Sequence, residues 1–150
     1  MTATAASDPA RFPLLLLDTH ALVWLMFGEE RLGKKANEAI RKSSRVERLL
    51  VSAITPWEIG VLVAKGRIDL HQDTMGWVRT ALALPGVRLV PLEPEIAVES
   101  TRLPWEMHAD PADRILVATA RHLGATLVTA DGALLEMARQ GNFVGMDATG

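Results

Sequence analysis

The chain contains no cysteine and no tyrosine, little aromatic surface and no excess of basic charge. Without cysteine there are no disulfides, no thiolate catalysis and no thiolate metal ligands, so any bound metal must sit on oxygen or histidine; the absence also matches a reducing compartment. Lysine and arginine number 16 against 18 acidic residues, a net charge of −2. That balance excludes a domain that wraps nucleic acid by charge alone, and any contact with a polyanion must be local. Aromatics make up 5% of the chain, too few for a row of base-stacking platforms, so Trp24, Trp57, Trp77 and Trp105 read as core or interface residues. Long apolar runs are missing too. The stretch 14–27 is broken by Asp18, Thr19 and His20 and falls short of the roughly 20 apolar residues that span a bilayer. The first dozen residues are small and polar with no basic start, which reads as a flexible tail over 1–12 rather than a secretion signal. A soluble cytoplasmic protein with no membrane association is expected.

Of the 150 residues, 49% are hydrophobic and 23% charged, enough apolar surface for one globular domain, expected over 13–150. Repeats, low-complexity segments and linkers are absent. A buried strand is expected over 12–17 and further strands over 49–53, 87–90 and 126–129, with an edge strand over 143–146. Between them lie helical patterns: 21–27, the charged amphipathic stretch 31–48, a helix from the 55–58 segment to about 64, then 73–84, 94–103, 111–123 and 132–139. Strands that alternate with helices and are apolar throughout predict an α/β fold, a mainly parallel sheet covered on both faces. The basic residues Lys34, Lys35, Arg41, Lys42, Arg45 and Arg48 read as a solvated helix face, with a phosphate-backbone track as the alternative.

Four acids stand at seams between an apolar run and the start of a helical pattern: Asp18, Glu58, Asp113 and Asp131. In a parallel sheet, residues just beyond the carboxyl ends of the strands converge on one crevice. Two carboxylates about 4 Å apart repel by roughly 4 kcal/mol at an effective dielectric near 20, so such a quartet must hold protons or a cation. Each acid also has a structural alternative. Asp18 can cap the next helix, although Thr19 beside it is available for that task. Glu58 occupies the third position of a capping box formed by Thr55 and Pro56. Asp110 precedes proline and reads as the cap of the 111–123 helix or as support for the site, leaving Asp113 as the better ligand. Asp131 can cap the last helix, and Thr129 is placed to orient a water or a ligand carboxylate. His20 and His108 lie beside the acids, but the histidines form no ligand set, and His71 and His122 read as structural or exposed.

These residues carry a resemblance. Leu-Leu-Asp-Thr-His-Ala-Leu-Val-Trp over 16–24, Ser-Ala-Ile-Thr-Pro-Trp-Glu-Ile over 52–59, Asp-Pro-Ala-Asp-Arg-Ile-Leu-Val-Ala over 110–118 and Leu-Val-Thr-Ala-Asp over 127–131 occur in the order seen in one family. The chain resembles the PIN-domain ribonucleases and, within them, the VapC-type toxins of bacterial toxin–antitoxin pairs. The resemblance spans about 14–145. It departs from the pattern at Ala112, where an aromatic is common, and in a longer N-terminal segment.

The resemblance implies a three-layer α/β/α PIN-like domain in which Asp18, Glu58, Asp113 and Asp131 take the acidic metal-site positions, Asp131 directly or through water. It implies an endoribonuclease that arrests translation, a cognate antitoxin as partner and RNA as substrate, with a homodimer as the expected assembly. Oxygen-only ligands favour Mg²⁺ or Mn²⁺ over Zn²⁺. Arg114, next to the acids, either contacts phosphate or makes a salt bridge along its helix. Two other classes compete. A haloacid-dehalogenase-like phosphotransferase or receiver domain also uses an aspartate at a strand end, but the phosphotransferase usually carries a second one at position 20, where His20 stands. A catalytically silent binding protein would keep the fold, and the intact acids argue against it.

Overall fold

The computed structural model describes residues 11–108 and 110–150. Five strands form the sheet, β1 (Leu15–Leu17), β2 (Leu49–Ser52), β3 (Val87–Val90), β4 (Thr126–Thr129) and β5 (Val144–Asp147), in the order β3-β2-β1-β4-β5. Every pairing is parallel; Leu17 stands opposite Val51 on one side and Val128 on the other. The helices are α1 (Thr19–Phe27), α2 (Lys34–Ser44), α3 (Ile54–Ala64), α4 (Thr74–Leu82), α5 (Pro94–Ser100), α6 (Pro111–Leu123) and α7 (Gly132–Arg139).

Strand period sorts the leucines of β1 between two cores. Leu15 and Leu17 point to one face, where they pack with Leu49, Val51 and residues of α1 to α4 such as Ala21, Ile40, Ile59 and Trp77. Leu16 points the other way and packs with Leu50, Leu127 and residues of α5 to α7, including Ile96, Leu116 and Leu134. A sheet buried on both faces needs no polar alternation, which is why β1 and β2 read as continuous apolar runs. Each fully buried leucine contributes roughly 1.5–3 kcal/mol relative to an exposed one. The result is the three-layer α/β/α arrangement.

The chain runs outward from β1 through β2 to β3, then returns to the other side of β1 to place β4 and β5. The order therefore reverses between β1 and β4, and the crevice beyond their carboxyl ends is where this architecture collects ligands. The connection is tight at that point: the Asp18 amide donates to the Val128 carbonyl at 3.0 Å.

Several boundaries differ from those expected. The charged helix begins only at Lys34, after Gly33, and ends at Ser44, because Glu47 takes a positive φ that a helix does not tolerate. Helix α5 stops at Ser100, whose hydroxyl turns back to the Ala97 carbonyl. The tail expected over 1–12 lies outside the described residues except for Arg11 and Phe12, and the Phe12 carbonyl is held by Arg48 Nε at 2.8 Å. Among the described residues, no helix is long and apolar enough to cross a membrane.

Candidate active site

Asp18 leaves β1 and caps α1: its Oδ1 accepts from the Ala21 amide at 2.8 Å. The sequence offered Thr19 for that task, but Thr19 is already the first helical residue, and its buried hydroxyl neighbours Glu58. Asp18 is 7% exposed, and burial pushes its carboxyl above the ordinary value of 3.8. The Thr129 hydroxyl and the Ala21 amide oppose that shift by favouring the charged form, and the charge of Asp131 adds to it.

Helix α3 brings Glu58 from beyond β2. The capping box expected around Thr55 does not form. The helix starts two residues earlier, at Ile54 rather than Pro56, its N-cap Ala53 makes no side-chain cap, and Thr55 is buried inside the first turn with its hydroxyl unpartnered. The Ile54 amide is met instead by the Ser52 hydroxyl at 3.1 Å. Glu58 is thereby released from a capping role and lines the cavity. Burial raises its carboxyl above 4.5; the neighbouring Thr19 hydroxyl opposes this, and the charges of Asp113 and Asp110 reinforce it.

Helix α6 supplies two acids. Asp110 is its N-cap and accepts from the Asp113 amide at 3.0 Å, with Pro111 at the first helical position, where its missing N–H costs nothing. Asp113 follows in the first turn, in reach of the helix dipole, and its Oδ2 lies 2.7 Å from His108 Nε2. Burial raises Asp113 above 3.8 and the hydrogen bond from His108 opposes the rise. Asp131 caps α7 through the Leu134 amide at 3.0 Å, while its own amide donates to the Thr129 hydroxyl at 3.1 Å. Thr129, fully buried at the end of β4, thus ties Asp131 and Asp18 together.

All four acids, with Asp110 and His20, line one open cavity of about 590 Å³. The tightest group in it is Glu58, Asp110 and Asp113, each with a carboxylate oxygen within 4.8 Å of the others. Asp110 therefore belongs with the acids it was expected only to support. The salt bridge expected as one reading of Arg114 does not form among the described residues. The Arg114 guanidinium donates to the carbonyls of His108 and Met107 at 2.9 and 2.8 Å, holding the 107–108 segment against α6.

Three residues at this cavity escaped the sequence reading. Trp57, expected as a core or interface residue, is not in the core but 55% exposed, and Lys65 and Arg67 line the same cavity. A helical spacing of four places Trp57, Val61 and Lys65 along one line of α3, and that periodicity was visible in the sequence. Trp24 and Trp77 are buried as expected, and Trp105 packs against the α5–α7 core with its Nε1 3.4 Å from Met137 Sδ.

Carboxylates that burial and mutual repulsion hold against ionisation fit a divalent cation, whose charge would remove both penalties. An all-oxygen set fits a hard ion such as Mg²⁺ or Mn²⁺. Glu58, Asp110 and Asp113 are the residues positioned to hold one jointly, with Asp18 and Asp131 across the same cavity.

Known proteins share the fold. The PIN domain family model matches residues 15–140. The chain is 34% identical to Ribonuclease VapC22 of Mycobacterium tuberculosis over 120 residues, which is 80% of this chain and 88% of that one. Among solved structures, a toxin–antitoxin complex from Klebsiella pneumoniae aligns with a TM-score of 0.60 at 25% identity, covering 89% of this chain and 97% of its counterpart. VapBC2 from Rickettsia felis, bound to a DNA fragment from its promoter, shares the fold with a TM-score of 0.58 at 14% identity, over 88% of this chain and 96% of that one. With the sheet order, the acids at its reversal point and these matches in agreement, the chain belongs to the PIN-domain family, as a VapC-type member.

Proposed function

We propose that this chain is an endoribonuclease of the VapC type, a single nuclease domain over 13–150 that hydrolyses RNA phosphodiester bonds with Mg²⁺ or Mn²⁺ and serves as the toxin of a toxin–antitoxin pair. The observation that carries the reading is the convergence of Asp18, Glu58, Asp113 and Asp131 on one cavity, with Glu58, Asp110 and Asp113 within 4.8 Å of one another. The relatives named above support RNA as substrate and an antitoxin as partner. Arrest of translation, a cytoplasmic site of action and a homodimer complete the proposal.

A bound divalent ion supplies a water of lowered pKa and neutralises charge on the phosphoryl oxygens. The chain's own part is to hold its acids where that chemistry is needed. Asp18 is fixed by the α1 amide it caps, and Thr129 sets the angle between it and Asp131. Asp110 and Asp131 keep their orientation through the amides of α6 and α7. His108 holds Asp113 Oδ2 and Arg114 fixes the segment that carries His108. His20 lines the same cavity, and in this reading it touches the substrate. Because the acids are held before substrate arrives, little reorganisation is left for the reaction itself.

The test is cleavage of a labelled structured RNA pool by purified, partner-free protein with Mg²⁺, Mn²⁺ or EDTA, beside Asp18→Asn and Asp113→Asn. Metal-dependent cleavage lost in both variants is the expected result. Equal cleavage in every sample marks a contaminant and favours a protein that binds without cutting.

A further inference from the structure

We infer that the α3 rim of the cavity is the track for an unpaired segment of the substrate, with Trp57 as the platform for a base and Lys65 and Arg67 as the contacts to the backbone phosphates. The inference rests on the nuclease reading above and names the form of RNA that the site takes. Trp57 adjoins Glu58 in sequence and lines the same cavity as the four acids, yet its indole is 55% exposed. Among the described residues that ring enters no aromatic or cation–π pair, unlike Trp24, Trp77 and Trp105. A large ring exposed on the wall of the cleft offers apolar area that a stacked base would remove from water.

What covers it is indicated by charge. Lys65 and Arg67 stand at the same cavity, and neither enters a salt bridge among the described residues. Two cations that line the cavity without pairing to its acids remain free for an anion. Eight residues of helix separate Trp57 from Lys65, a rise of about 12 Å at 1.5 Å per residue. An extended strand of a few nucleotides covers that distance from the acids outward. Its base faces are available to an indole only when they are unstacked, which excludes the interior of a duplex. The modest net charge of the chain agrees with contacts confined to this one track.

Fluorescence anisotropy of a labelled single-stranded RNA, beside the same sequence closed in a duplex, tests the track. It is read in an Asp18→Asn background, which retains the α1 cap while cleavage is removed. Tighter binding of the single strand is expected. Trp57→Ala weakens it about 5–150-fold, the equivalent of one stacked base, and Trp57→Phe restores most of the loss. Lys65→Gln and Arg67→Gln each lower the dependence of log K on log salt by about 0.7. In the cleaving protein, Trp57→Ala raises KM for single-stranded RNA more than it lowers kcat. The track is overturned if single strand and duplex bind alike, if no RNA binds, or if Trp57→Ala stays within about twofold of its parent. It is equally overturned if Trp57→Ala weakens only the antitoxin complex, which would make the indole a protein contact. Wild-type protein that binds the single strand through Trp57 but never cleaves it would support the track and refute the nuclease reading.

Discussion

Asp18 has two tasks that substitution separates. Its carboxylate caps α1 through the Ala21 amide and also faces the cavity of acids. Asparagine keeps an oxygen for the cap and loses the charge; alanine loses both. Asp18→Asn and Asp18→Ala are therefore expected to reduce cleavage alike, by more than the roughly 10–100-fold that removing an outer-shell partner of a metal costs. Only Asp18→Ala is expected to lose about 1 kcal/mol of stability, read from urea midpoints. The direction of the Asp18 shift adds a pH signature. Burial raises its folded value above 3.8, so the folded protein binds the proton more tightly than the unfolded chain. Its contribution to stability is complete below 3.8 and is lost as pH rises through the raised value. In EDTA, the stability of Asp18→Asn relative to wild type should then grow between about pH 4 and pH 7. Urea midpoints at the two pH values check this, and a gap that stays constant or narrows would contradict a carboxylate destabilised by burial.

At the scale of elements, the turns are where substitution discriminates. Gly124 ends α6 at φ 64 and Gly86 leads into β3 at φ 81, both in the left-handed region. A Cβ at Gly124 meets nothing, whereas one at Gly86 runs into the backbone of Ser44 at the end of α2. Gly124→Ala should cost about 1–2 kcal/mol, the conformational penalty alone. Gly86→Ala should cost more than about 3 kcal/mol, because α2 must shift off the sheet to admit a methyl group. Denaturant midpoints of the two variants rank them, and equal losses would mean that the contact with Ser44 is not rigid.

For the molecule as a whole, the acids set a cost that a cation relieves. Asp18, Glu58 and Asp113 are all raised by burial, and each also feels the charge of a neighbouring acid. Mg²⁺ or Mn²⁺ at about 100 times its dissociation constant should add about 2.7 kcal/mol of stability. For a domain of this size that raises Tm by about 5–10 °C. EDTA should reverse the shift and Asp113→Asn should remove most of it; scanning calorimetry reads both. No shift in the wild-type protein would mean that the acids hold no divalent ion in the folded state.

The sequence alone determined what depends on neighbours in the chain. Strand and helix periods placed β3, β4 and α6 at their observed bounds, and apolar runs without polar alternation revealed a parallel sheet buried on both faces. The acids at the seams marked the site because each lies next to a local signal, a strand end or a helix start. Tertiary structure decided which of two local readings won. Thr55 and Glu58 spell a capping box, but packing buried Thr55, α3 began two residues early and Glu58 was turned toward the cavity. Asp110 reads locally as a cap and is one, yet only the fold sets its carboxylate within 4.8 Å of Glu58 and Asp113. Trp57 reads as a core or interface residue, and only the arrangement of α3 leaves it exposed on the cavity that Lys65 and Arg67 also line. The physical reason is common to all three. Hydrogen bonds and periodicity within a few residues are written in sequence order, whereas burial and the distance between charges exist only once distant segments have packed together.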